Sequence, residues 1–180
     1  MSRVRIVGGA WRSRLIEVPD AIGLRPTPDR VRETLFNWLG QELDGLRCLD
    51  LFAGSGALGF EAASRGAAEV VMVEQAPAVF AHLQKAVKTL DADNVRLQRG
   101  DALEFLRRAA GRFDVIFLDP PYQKGWLERV APLLASVLAD SGRVYAEAEH
   151  PVDTLAGLQT FKRGRAGQVH YQLLAAEEHP

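Results

Sequence analysis

Leu46-Arg47-Cys48-Leu49-Asp50-Leu51-Phe52-Ala53-Gly54-Ser55-Gly56-Ala57-Leu58-Gly59 is the stretch around which the chain is organised. Its first half, Cys48 to Phe52, is apolar apart from Asp50, which suits a strand of a parallel sheet buried on both faces. Its second half is a turn, because Gly54, Gly56 and Gly59 lack the Cβ that would oppose positive φ or hold a ligand away from the backbone. The residues that follow continue as a helix, so free N–H groups are expected at the helix start, facing the space beyond the strand's carboxyl end.

The spacing G-x-G-x-x-G by itself leaves two readings open. One is a dinucleotide site, where N–H groups meet a pyrophosphate. The other is a methyltransferase loop set against the amino-acid part of S-adenosylmethionine. Glu74 closes the next apolar run, Val70 to Val73, twenty residues after Gly54, where an acid grips ribose hydroxyls in either case.

At 180 residues, 47% hydrophobic and 25% charged, the chain reads as one domain with a sizeable core. We divide it into a basic extension over 1–45, a core over 46–176 and a tail over 177–180. No apolar run nears the roughly 20 residues of a membrane span, and the first residues lack the apolar stretch of a signal peptide, so a cytoplasmic monomer with no membrane contact is expected. The lone Cys48 lies in the first buried strand and reads as core packing.

Net charge is −1, but it is unevenly spread. Residues 1 to 32 hold seven arginines (Arg3, Arg5, Arg12, Arg14, Arg25, Arg30 and Arg32) against three acids, a net of +4, and the remainder carries −5. Arginine without lysine favours bidentate or stacked contact with phosphates and bases.

Residues 3 to 7 and 13 to 18 alternate about Gly8-Gly9, which predicts a small hairpin with Trp11 and Arg12 near its turn. Thr27-Pro28-Asp29 reads as a helix start, with Thr27 as N-cap, Pro28 at the first helical position and Arg30 and Arg32 near the exposed end. Val31, Leu35, Trp38 and Leu39 then share one face. From Leu46 onward strands alternate with helices, the pattern of a doubly wound α/β sheet. The expected strands are 47–52, 69–74, 94–98, 113–118, 142–147, 157–162 and 168–174. The expected helices are 57–65, 77–90, 102–109 and 125–138, the last kinked or split by Pro132. His82 and His150 are expected on helix or surface positions with no metal role, and Asp91 and Asp93 in a turn.

Asp119-Pro120-Pro121-Tyr122 decides between the two readings of the glycine loop. The prolines stiffen the loop and remove donors, Asp119 offers a carboxylate, and Tyr122 a flat ring. Acceptors beside a stacking platform suit an exocyclic amino group on a planar base. A dinucleotide-binding module would leave these residues idle.

These motifs, with RIVGGAWRSR, GLRPTPDRVRETLFNWL and late AGQVHY, resemble the RsmD-type 16S ribosomal RNA guanine-N2 methyltransferases across nearly the whole chain. The resemblance implies a mostly parallel, seven-stranded class I methyltransferase (Rossmann-like) sheet with a small N-terminal hairpin and helix extension. It implies S-adenosylmethionine as cofactor, S-adenosylhomocysteine as product, no metal, and 16S rRNA in an assembling small ribosomal subunit as partner. Asp50, Gly54 and Gly56 would hold the methionine end, Glu74 the ribose, and Asp101 with Ala102 the adenine, with Phe52 also against the cofactor. Asp119 would border both cofactor and substrate. It and Pro120 would accept the guanine N2 hydrogens, with Pro121 stiffening the loop and Tyr122 stacking on the base. Arg3, Arg5, Arg12, Arg25, Arg30 and Lys124 would meet RNA. Where the family pattern continues after the prolines with a further aromatic or basic residue, this chain has Gln123-Lys124. An N6-adenine or other nucleic-acid amino-group methyltransferase shares the D-P-P-Y chemistry and stands as the alternative.

Overall fold

The computed structural model describes residues 2–20, 24 and 27–176; Arg25 and the tail 177–180 lie outside the described residues. Strands β1 (Ser2–Arg5) and β2 (Leu15–Val18) pair antiparallel as the expected hairpin. They precede helix α1 (Asp29–Leu39). The core then alternates β3 (Arg47–Asp50), α2 (Ala57–Ser64), β4 (Glu69–Glu74), α3 (Pro77–Leu90), β5 (Val95–Arg99), α4 (Ala102–Arg108), β6 (Phe113–Leu118) and α5 (Trp126–Leu134). It closes with β7 (Leu138–Ala148), β8 (Thr154–Leu155), β9 (Leu158–Ala166) and β10 (Val169–Ala175).

The main sheet runs β5-β4-β3-β6-β7-β10-β9-β8, parallel through β7 and antiparallel beyond it. Both faces of its centre are buried, as the apolar runs require. Cys48, Val70 and Met72 face a core shared with α1, α2, α3 and the hairpin, while Leu49, Val71 and Val73 face a second core under α4 and α5. No helix among the described residues is long and apolar enough to cross a membrane.

Four local expectations change. The sheet has eight strands, the additional one being the two-residue β8. The helix expected over 125–138 ends at Leu134, two residues after Pro132, whose missing N–H removes a bond from its last turn. The register of β6 against β7 then jumps from Phe113↔Leu138 to Val115↔Arg143, which lengthens β7 backward beyond the expected 142–147. Thr27 does not cap α1. Pro28, extended at ψ 151°, occupies the N-cap position with no side-chain cap bond, and the Thr27 hydroxyl turns to other partners described below.

Arg32 also departs from its expected place, being 1% exposed at the centre of a buried network. Its guanidinium donates to Glu61 Oε1 (2.8 Å), Asp29 Oδ1 (2.5 Å) and the carbonyls of Arg5 (2.7 Å) and Thr27 (3.1 Å). Glu61, fully buried on α2, also accepts from Arg65 Nε (3.0 Å) and from the backbone N–H groups of Val7 and Gly8 (both 2.9 Å). This network ties the extension to the core. It also explains Gly8-Gly9: a Cβ on Gly9, at φ +82°, would stand 2.0 Å from the Ser64 carbonyl oxygen, so the glycines permit close docking against the end of α2.

Candidate active site

Parallel strands bring their carboxyl ends to one edge, and the register specifies which residues meet there. Asp50 lies opposite Met72 and Phe117, Phe117 opposite Tyr145, and Leu118 opposite Ala146. One step further along β6 and β7 stand Asp119 and Glu147.

The glycine loop turns sharply at Gly54 (φ +53°) and Gly56 (φ +86°); a Cβ on Gly56 would meet the Phe60 ring at 2.5 Å. Gly59 has a different reason, since its Cβ would sit 2.9 Å from Met72 where α2 packs on β4. Several of the N–H groups of this loop are already engaged. Gly54 N–H donates to Glu74 Oε1 (2.9 Å), Ala57 N–H to Ser55 Oγ (3.2 Å) and Gly59 N–H to Asp50 Oδ2 (3.0 Å). Glu74 Oε2 accepts from Ala76 N–H (2.9 Å), so its carboxylate braces the loop from both sides. His82, on helix α3 as expected and buried there, adds a 3.0 Å contact from Nε2 to the Ser55 carbonyl.

Beside the loop one buried carboxyl oxygen lacks a partner. Asp50 is 1% exposed, its Oδ1 has no partner among the described residues, and burial, then the charges of Glu74 and Glu147, push its carboxyl up to about 7 against the pull of the Gly59 N–H. The position therefore calls for a hydrogen-bond donor or cation and is ill suited to a phosphate. Asp101 N-caps α4, accepting Glu104 N–H on Oδ2 (3.1 Å), and Ala102 is buried in the first turn of that helix. Phe52 meets Trp126 edge-on at 5.2 Å between ring centroids. The Trp126 indole N–H is the second buried polar group without a partner among the described residues.

Asp119 is half-buried, Pro120 buried, and Pro121 and Tyr122 exposed. The loop is pinned beyond Tyr122 by Gln123 (φ +63°), whose N–H donates to Glu149 Oε1 at 2.8 Å, and by Gly125 (φ +62°) at the start of α5. Behind it lies a second, buried carboxyl that sequence reasoning missed, Glu147. The Thr27 hydroxyl lies 3.4 Å from Asp119 Oδ2 and 3.2 Å from Glu147 Oε1, and the Tyr145 hydroxyl donates to Glu147 Oε1 at 2.5 Å. Burial, then the neighbouring Glu147 carboxyl, holds Asp119 well above the usual carboxylate range, and burial raises the Tyr145 hydroxyl likewise.

Of the residues assigned to RNA, Arg3, Arg5, Arg12, Arg30 and Lys124 are exposed. Arg3 and Arg5 lie on the hairpin, Arg12 on its connecting turn and Arg30 at the start of α1. Arg14, also exposed, donates to the Thr89 carbonyl at 2.8 Å.

Comparison with known proteins places the chain in a family. Residues 4–175 match the family model described as Conserved hypothetical protein 95. Ribosomal RNA small subunit methyltransferase D of Escherichia coli K12 is 44% identical over 180 residues, covering 97% of this chain and 91% of its own length. The protein of the same name from Haemophilus influenzae is 40% identical over 178 residues, covering 94% and 92%. Among solved structures, Escherichia coli yhhF superposes on 98% of this chain and 99% of its own, with a TM-score of 0.89 and 44% identity.

Proposed function

The chain belongs to the RsmD family of methyltransferases, described by the Conserved hypothetical protein 95 model, and from that membership we propose that it moves a methyl group from S-adenosylmethionine to the exocyclic N2 of a guanine in small-subunit ribosomal RNA. The observation that carries this reading is the unpartnered Asp50 Oδ1 beside a glycine loop three of whose N–H groups are held by side chains. An acceptor kept dry and unsatisfied fits the α-ammonium of a methionine moiety and argues against a dinucleotide's pyrophosphate. In this reading Asp50, Gly54 and Gly56 hold the methionine end, Glu74 the ribose hydroxyls, and Asp101 with the Ala102 backbone the adenine, with Phe52 also against the cofactor.

When bound, the cofactor supplies an electrophilic methyl group. The chain's own residues do the rest. Asp119 and the Pro120 carbonyl accept the two N–H bonds of the guanine amine, which favours a pyramidal nitrogen with its lone pair freed from the ring, and the Asp119 carboxylate offsets the positive charge that develops there. Tyr122 gives the flipped base a face to stack on. The exposed arginines of the hairpin and of α1 grip phosphates of the surrounding RNA, which we take to be an assembling subunit.

The test is to incubate the purified protein with S-adenosylmethionine carrying a deuterated methyl group and small-subunit ribosomal RNA, then digest to nucleosides for mass spectrometry. Label in N2-methylguanosine is expected. Label confined to N6-methyladenosine, or calorimetric binding of NAD in place of S-adenosylmethionine, contradicts the reading.

A further inference from the structure

We propose that Glu147 is a positioning residue for the transfer, a second carboxyl linked to Asp119 through the Thr27 hydroxyl that makes Asp119 a stronger acceptor for the amine's hydrogens and for the proton released after methylation. The inference rests on the placement of the reacting amine at Asp119.

The geometry carries it. Glu147 is 6% exposed at the end of β7, a place where a carboxylate needs compensation. Its partners are two hydroxyls, Tyr145 at 2.5 Å and Thr27 at 3.2 Å. Thr27 has one hydroxyl hydrogen to share between Glu147 and Asp119, so it cannot satisfy both carboxylates at once. The other groups near the pair are Asp50 at the end of β3 and Tyr171, opposite Glu147 on β10. On this side Arg32 contacts the Thr27 carbonyl and is itself bound to Glu61 and Asp29. Two carboxyls in one buried site hold a proton more tightly than either would alone. The effect of Glu147 on Asp119 is thus to raise its basicity above that of an ordinary carboxylate, which makes it a better acceptor for a released proton.

The proton balance is simple. As the new N–C bond forms, the electron pair of the breaking C–S bond stays with sulfur, and the nitrogen, still carrying two hydrogens, becomes positive. One N–H bond then breaks toward the Asp119 carboxylate, its electrons remaining on nitrogen, and the half-buried Asp119 carboxyl returns the proton to water.

Two variants give opposite signs, which a loss of packing would not. Glu147→Gln keeps the size and the acceptor for Tyr145 but removes the second charge, so Asp119 should ionise more readily. The acid limb of the single-turnover rate against pH should then move down by about one pH unit or more. Thr27→Val removes a hydroxyl that favours the ionised form, so the limb should move up. Glu147→Asp should restore the limb toward its parent position.

The same titrations are followed without turnover by the 13C carboxyl resonance of Asp119 in the free protein, with unchanged S-adenosylmethionine affinity as the check on folding. A downward shift of both the resonance midpoint and the rate limb in Glu147→Gln supports the proposal. An Asp119 resonance that titrates as in the parent overturns it. A resonance that moves while the rate limb stays fixed means the transfer does not run through Asp119, which overturns the placement of the amine and this inference with it.

Discussion

Two carboxylate sites lie in the interior of this fold or at its edge, and they are built in opposite ways. Glu61 has both oxygens filled by two arginines and two backbone N–H groups, drawn from the hairpin, α1 and its own helix. Asp50, Asp119 and Glu147 gather at the sheet edge among backbone N–H and hydroxyl donors, with no arginine or lysine bound to them among the described residues and the buried Asp50 Oδ1 left unpaired. A buried charge that is fully paired holds elements in place, and losing its partners is costly. Carboxyls left short of donors raise the energy of the empty site, and that energy is recovered when a ligand brings the missing donors. The contrast separates the acid that assembles the molecule from those we propose to do its chemistry.

The comparison can be broken most forcefully at Glu61. Glu61→Ala strands Arg32 and Arg65 in the interior, and we expect a loss of about 3 to 5 kcal/mol in urea unfolding. A loss under about 1 kcal/mol would mean the network is incidental.

At the sheet edge the sign should reverse. Because the folded-state pKa of Asp50 is raised to about 7, ionising it costs stability as pH rises from the unfolded value near 4 through 7. Asp50→Asn removes that titration, so it should gain on the parent over this window, by at most about 4 kcal/mol, with no gain below pH 4. The same variant should lose S-adenosylmethionine affinity by calorimetry. Melting temperatures of the two proteins that run parallel from pH 4 to 8 would refute the assignment of Asp50 as an under-partnered acid.

The smallest effect concerns the exposed arginines, which belong to neither group. Replacing Arg3, Arg5 and Arg12 with alanine should leave cofactor affinity alone and lower the slope of log RNA affinity against log salt by about 0.7 to 0.9 for each phosphate no longer neutralised. An unchanged slope would leave them as a solvated face.

How legible each part was in the sequence follows from how local its cause is. The strand, glycine loop and helix from Leu46 to Gly59 were readable because neighbouring residues determine them, and so was Asp119-Pro120-Pro121-Tyr122. The partners of Asp119 were not. Glu147 sits in Tyr145-Ala146-Glu147-Ala148-Glu149, which reads as ordinary alternation, and only the pairing of Leu118 with Ala146 sets it beside Asp119. A usable signal existed, since the expected strand over 142–147 ended on Glu147 and the ends of parallel strands collect at one edge. Thr27 gave none, because Thr-Pro-Asp is a good helix start whatever the hydroxyl does. Arg32 could have been suspected from Phe36, four residues on and buried on the same side of α1. Arginine spacing alone could not separate it from its exposed neighbours.

The central claim is that Asp119 acts on the reacting amine, and single-turnover methyl transfer at saturating RNA tests it most directly. The carboxylate meets little net charge on the neutral amine but a full positive charge as the methyl arrives, so its loss should fall on the rate and spare binding. Asp119→Ala should keep its S-adenosylmethionine affinity and most of its RNA affinity while the transfer rate drops roughly 100- to 1000-fold, with Asp119→Asn in between. A rate for Asp119→Ala within a few-fold of the parent would make Asp119 a loop residue and place the chemistry elsewhere.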